Sequence, residues 1–292
     1  MSRSFLEDKQ LAHEELSAQR TLRKVRPGKL EQFSVDLCLI AHGIRSACLV
    51  DTFAVQDSIN LFSRVLAGLR SKVRFDQEYT ATQFIEQRMN QSTIFADIVH
   101  WYDPSSLQSF IVNSRVLRVF AETLLEDGNA VVTYVLLGAF PTLLASTPKT
   151  VLDVVCAMNA DMLEYQAKIS FSFVDGLTQE ILVPLAATLI GYPVAYIPIS
   201  ADQTSFLSGQ PLDVYEANVV PETSRTSSFQ SSNQSHTLLK FSCPCSLAET
   251  NRELSPARVT KRLQSQFQEN LSSIGSSLFV HHHVEIVDRV AL

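Results

Sequence analysis

The sequence predicts an α/β fold, with three layers (αβα), a mainly parallel sheet and an antiparallel C-terminal edge. Three observations carry this. Through most of the chain, short apolar runs alternate with amphipathic helical stretches, which requires crossover connections between strands. After residue 200, two strand-like runs follow one another directly, as in an antiparallel pair. Only 9 glycines and 11 prolines occur among 292 residues that are 46% hydrophobic, a composition that builds a core and excludes disordered, collagenous and disulfide-stapled classes.

Each element has a local reason. Leu30, Phe33, Leu37, Ile40 and Ile44 recur at three- and four-residue steps, a helical stripe that Gly43 is placed to end. The preceding segment, Ser4 to Val25, also reads as helical. Ala47–Asp51 is a short buried strand. Phe62, Val65, Leu66 and Leu69 then share one helical face behind Asp57 or Ser58 as cap. Residues 71–92 are polar, with a helix expected from Thr82 to Met89. Ile94–Trp101 and Phe110–Val112 read as strands, and Ser114–Glu126 as a helix stopped by Gly128.

Val131–Leu137 is the next strand. Thr147-Pro148 opens a helix carrying Val151, Val154, Val155, Met158 and Met162, because proline at the first helical position sacrifices no hydrogen bond. Lys168–Val174 is a strand, and a helix follows from about Ile181 to Ile190, with Gly191 ending it. Pro184 suits that helix only near its first turn or as a kink. Pro193–Ile199, Leu212–Val220, Leu238–Cys243 and Phe279–Val290 read as strands. Ser255-Pro256 starts a helix that buries Val259, Leu263, Phe267 and Leu271. No repeat or linker divides the chain, so residues 1–29 are expected as a helical, basic extension and 30–292 as one domain. Its loop at 222–237 is rich in Ser and Thr. A stretch so polar offsets little of its ordering entropy, and phosphorylation beside Arg225 would give it a docking charge.

Charge and composition narrow the partners. Thirty acidic residues oppose 24 basic ones, a net charge of −6, so no nucleic-acid partner is expected. The cluster Arg20, Arg23, Lys24, Arg26 and Lys29 reads as a solvated helix end. Ala130–Ala145 falls short of the roughly 18–20 apolar residues needed to span a bilayer, and reads as a buried strand and turn. The five cysteines lack framework spacing, and the first thirty residues lack an apolar leader. A cytoplasmic or nuclear protein is therefore expected.

At Ile190-Gly191-Tyr192-Pro193-Val194-Ala195-Tyr196 the chain resembles a family of uncharacterised animal proteins, a domain of unknown function known from a predicted open reading frame on human chromosome 1. Leu49-Val50-Asp51, the segment Phe241–Leu247 and the end Val290-Ala291-Leu292 are similar to it as well. The similarity runs from about residue 35 to 292, with extra residues at 71–105. Family members continue the strand-end Asp with Cys and Asn, where this chain has Thr52 and Phe53. The resemblance implies fold boundaries, and no activity, cofactor or catalytic residue.

Two constellations come nearest to chemistry. Asp51 and Asp175 each follow an apolar strand, and open α/β sheets bind ligands outside the carboxyl ends of their strands, so the pair is the candidate for a divalent cation. A phosphatase strand would need a second Asp at position 53, where Phe53 stands; the competing role for such carboxylates is capping a turn or helix. His281 and His283 alternate on one strand, as do Cys243 and Cys245 on another, and these four are the candidate zinc ligands. Pro244 between the cysteines and the ligand spacing argue against zinc, so no metal is expected there. There is no phosphate-binding glycine loop and no nucleophile elbow, so no cofactor is expected. The reading is a non-enzymatic protein that binds a protein or small molecule; the alternative is a degenerate metal-dependent hydrolase using Asp51 and Asp175.

Overall fold

A computed structural model describes residues 4–72, 94–126, 132–200, 203, 207–222 and 235–286. The expected helix at Thr82–Met89, the stop at Gly128, most of the 222–237 loop with Arg225, and the end Val290–Leu292 lie outside the described residues. The chain forms two compact units, residues 1–117 with 162–175, and residues 118–161 with 176–292. The fold is α/β. Among the described residues, no helix is long and apolar enough to cross a membrane.

In the first unit, α1 (Phe5–Ala18) starts at a capping box. Ser4 Oγ accepts from the Glu7 amide at 3.3 Å, and the Ser4 amide donates to Glu7 Oε2 at 2.7 Å. The basic cluster follows around a short 3₁₀ turn whose Leu22 is buried. Pro27 then opens α2 (Pro27–Ala41), and Gly43 takes the left-handed conformation just after it. Asp57 caps α3 (Ser58–Ser71) by accepting from the Asn60 amide. The apolar faces of these helices meet in one cluster with Leu16, Phe33, Leu37, Phe62, Leu66, Cys48 and Ile111. α1 and α3 approach closely enough that a Cβ on Gly68 would clash with the Glu15 carboxylate.

The sheet of this unit holds β1 (Ala47–Leu49), β2 (Ile98–Asp103), β3 (Gln108–Asn113) and β6 (Ser170–Ser172) in the order β1-β3-β2-β6. Leu49, Phe110, Trp101 and Phe171 form one row across it, and Cys48, Ile111, His100 and Ser170 form a neighbouring row on the opposite face. The Trp101 ring stacks on Phe171 with centroids 4.9 Å apart. Two of the three unit boundaries fall within α4 (Ser114–Glu126) and α5 (Lys149–Glu164), and the third follows Asp175.

The second unit carries two sheets. β4 (Thr133–Leu137) lies between β5 (Pro141–Leu143) and β7 (Val194–Pro198), while β8 (Pro211–Pro221) lies between β9 (His236–Pro244) and β10 (Ser276–Ile286). The described part of the apolar stretch 130–145, from Val132 on, is thus β4, a turn and β5. α6 (Gln179–Ile190) begins two residues earlier than expected, which puts Pro184 in its interior; the Thr188 hydroxyl donates to the Pro184 carbonyl at 2.6 Å. α7 (Cys245–Thr250) and α8 (Pro256–Ser273) follow β9, and α8 buries Val259, Leu263, Phe267 and Leu271 as read from their spacing.

The mainly parallel sheet is corrected. Among the described strands only β2/β6 and β4/β7 pair in parallel, and the strands fall into three mixed or antiparallel sheets. The alternation of strand and helix misled because β2 and β3 are joined by a tight hairpin and β4 turns straight back as β5, leaving no crossover at either place. The antiparallel C-terminal strands form a sheet of their own.

Gly191 closes α6 at φ +85, and a Cβ there would meet the Gln266 amide nitrogen at 3.2 Å. Gly191→Ala is expected to cost about 1 kcal/mol, read as a lower denaturant midpoint at unchanged m-value.

Candidate functional site

The strand-end carboxylates are not brought together. β1, β2 and β6 point the same way, so Asp51 and Asp175 follow strands ending on the same side of the sheet. But β1 and β6 are its two opposite edges, with β3 and β2 between them. Three strand spacings of about 4.8 Å put those ends roughly 14 Å apart, against about 5 Å for two carboxylate oxygens on one cation. Both side chains are exposed.

A third carboxylate, Asp103, lies between them at the end of β2 and is fully buried. Its Oδ2 accepts from Ser105 Oγ at 2.7 Å, from the Ser106 amide at 2.8 Å and from Ser106 Oγ at 2.5 Å, while Oδ1 has no protein partner among the described residues. These bonds clamp the β2–β3 hairpin, whose Leu107 adopts φ 60. Asp103 was legible only as the first residue of Asp103-Pro104-Ser105-Ser106, a turn sequence in which a side-chain acceptor binds the following amides.

His100 is buried on the opposite face from Trp101, against the Phe62 ring at 4.8 Å. Its Nδ1 is 3.2 Å from Ser170 Oγ, which is 2.8 Å from Ser63 Oγ. Burial alone lowers its pKa to about 3, so the ring is neutral, and its Nε2 has no partner among the described residues. Among the described residues no carboxylate orients the imidazole. The triad logic of a nucleophilic serine is therefore incomplete, and the network serves to satisfy a polar row in the core.

The second unit assembles a polar cluster that the sequence reading divided differently. His281 and His283 do share a face, with ring centroids 5.2 Å apart, beside the Glu216–Lys240 ion pair. The cysteines do not join them. Cys243 pairs across the strands with Asp213, so both occupy the inward face of β8 and β9; Asp213 is 4% exposed. His282, on the opposite face of the strand from His281 and His283, is the histidine that meets them. Its Nε2 is 2.7 Å from Asp213 Oδ1, and its ring lies 5.0 Å from that of Tyr215. The face is decided by Leu278, buried two strand periods earlier with the same parity as His282.

Cys245, at the start of α7, donates to the Asp213 carboxylate, and that carboxylate lies between the thiol and the imidazole. An activated thiol needs the base next to it. Here burial and the neighbouring Asp213 charge push Cys243 up to about 12 and Cys245 up to about 11, so both are thiols at neutral pH. Among the described residues no three His, Cys, Asp or Glu side chains converge as metal ligands would.

The family model for a domain of unknown function, DUF4504, matches residues 15–290. The chain belongs to that family. No curated protein and no solved structure matches the chain. Within the DUF4504 domain, two of the segments that carry the resemblance, Ile190–Tyr196 and Phe241–Leu247, touch. The Tyr192 ring lies 5.7 Å from that of Phe241, and the Tyr196 hydroxyl donates to the Ser242 carbonyl at 2.9 Å. These motifs join the β4–β7 sheet to β9.

Two outcomes follow from the protonation states. His100 has a folded pKa below its unfolded value near 6.5, so its contribution to stability is complete above pH 6.5 and is lost as pH falls towards 3. His100→Gln is expected to remove about 1.4 kcal/mol per pH unit from the acid slope of unfolding free energy in that window. Asp213→Ala leaves His282 and Cys245 without their acceptor; a loss of about 2–3 kcal/mol is expected in chemical denaturation, together with faster alkylation of Cys245 by iodoacetamide at pH 8, read by peptide mass spectrometry.

Proposed function

We propose that this DUF4504 chain is a non-enzymatic binding protein that takes an apolar group of a small molecule or protein at the carboxyl end of the parallel pair β4/β7. The supporting observation is the exposure of large apolar side chains at that end. Leu137 and Pro198 are the last paired residues; Phe140, in the turn after β4, is 81% exposed, and Ile199, just after β7, is 56% exposed. Gln203 holds the end in place, accepting from the Ile199 amide at 2.9 Å and donating to the Leu137 carbonyl at 3.2 Å. Parallel strands present ligand sites at their carboxyl ends, and an end with exposed apolar side chains is suited to contact rather than proton transfer.

The same reading takes residues 30–292 as one domain in evolution, since the family match crosses both units, and takes the cytoplasm or nucleus as the place of action on sequence grounds. No cofactor belongs to it. The hydrolase reading has no observation in its favour, because Asp51 and Asp175 follow opposite edge strands.

The binding surface is tested with an apolar fluorescent probe, anilinonaphthalene sulfonate. The native protein is expected to bind it, and the pair Phe140→Ser with Ile199→Ser to lose most of that signal at unchanged far-ultraviolet dichroism. Equal probe binding by the variant would defeat the reading. Millimolar Mg²⁺ or Mn²⁺ is expected to leave the melting temperature unchanged; a site filled about a hundredfold over its Kd would add about 2.7 kcal/mol.

A further inference from the structure

The C-terminal strand β10 is the edge of its sheet, 11 residues long and paired with β8 along its whole length, from Ser276 opposite Pro221 to Ile286 opposite Pro211. Among the described residues, its other side is hydrogen-bonded at one point. The Leu278 amide donates to Gln268 Oε1 from α8 at 3.2 Å, which shows that Leu278 turns its backbone groups away from β8. Antiparallel ladders alternate, so Val280, His282 and Val284 turn theirs outward too, and these have no partner among the described residues. Edge strands are ordinarily guarded by Pro, Lys, a bulge or short length. Residues 280–286 contain no Pro and no Lys, and their pairing with β8 shows no shift of register. Val284 and Ile286 are 58% and 66% exposed.

The geometry points to a second copy of this chain as the occupant: β10 pairs with β10 of the partner, antiparallel, about a two-fold axis at His283. An isologous contact must be self-complementary, and this register is. It sets each His281 imidazole opposite the partner's Glu285, twice by symmetry, and Val280 against the partner's Ile286. It begins beyond the Gln268 bond, which is kept, and Glu285, whose Oε2 lies 3.6 Å from His283 Nε2 on its own strand, is shared with the partner's His281. Moving the axis to His282 would set His281 opposite the partner's His283 and Phe279 opposite Glu285, losing the imidazole–carboxylate pairs. The result is a continuous six-stranded antiparallel sheet, β9-β8-β10 and its symmetry mate. Two seven-residue edges form an interface at the small end of specific contacts, so a dissociation constant of about 10–100 µM is expected.

Sedimentation equilibrium on the full chain tests this, from about 1 to about 300 µM around that expected constant. The apparent mass is expected to rise from 32.5 kDa towards twice that value. His281→Glu sets like charges opposite each other at both symmetric positions and is expected to weaken dimerisation about tenfold, with His281→Glu/Glu285→Lys restoring it. Val284→Pro removes an outward N–H without touching the β8 ladder and is expected to leave a folded monomer. A chain that stays monomeric across the range overturns the proposal, and so does a dimer whose strength His281→Glu leaves unchanged, a readout that stands even where the proline variant fails to fold.

Discussion

A carboxylate taken out of water must be met by donors, and this requirement organises the polar interior of both units. Asp8, Asp103 and Asp213 are each at most 4% exposed. Asp8 takes His42 at 3.1 Å and thereby ties α1 to the end of α2. Asp103 takes the two serines that follow it and fixes a hairpin. Asp213 takes His282 and Cys245, and so holds β10 and the start of α7 to the central strand of its sheet. Removing any one acceptor would leave its donors unsatisfied, which is why these residues bear on stability more than their number suggests.

The same groups explain why resemblance to catalytic constellations goes no further. In the first unit a histidine meets two serines, and in the second a histidine and two cysteines meet an aspartate, yet burial holds His100 neutral and the thiols protonated, and Asp213 is already engaged by His282. The chemistry-bearing residues are spent on internal hydrogen bonds. Among the described residues, large apolar side chains are exposed at one strand end, Phe140 and Ile199, and on β10, Val284 and Ile286.

Sequence reasoning reached the local devices well. The stripes of α2, α3 and α8, the Asp57 cap and the Gly191 stop are set by residues within a turn or two of one another, so spacing alone exposes them. It also recognised that His281 and His283 share a face and that Cys243 and Cys245 alternate. It paired the wrong faces, because which side of β10 turns inward depends on its register with β8, fixed by residues some seventy positions away. Asp213 drew no notice, since a single acid in an apolar run has no local signature.

By itself, then, the sequence determined the α/β class and most of the described helices and strands, which follow from periodicity over a few residues; β5 and α7 carried no such signal. Only the tertiary structure decided that the strands form three mixed or antiparallel sheets, that Asp51 and Asp175 stand on opposite edges, and that His282 joins Asp213. Strand order and register are non-local: a hairpin and a crossover begin with the same run of apolar residues and differ only in where the chain next pairs.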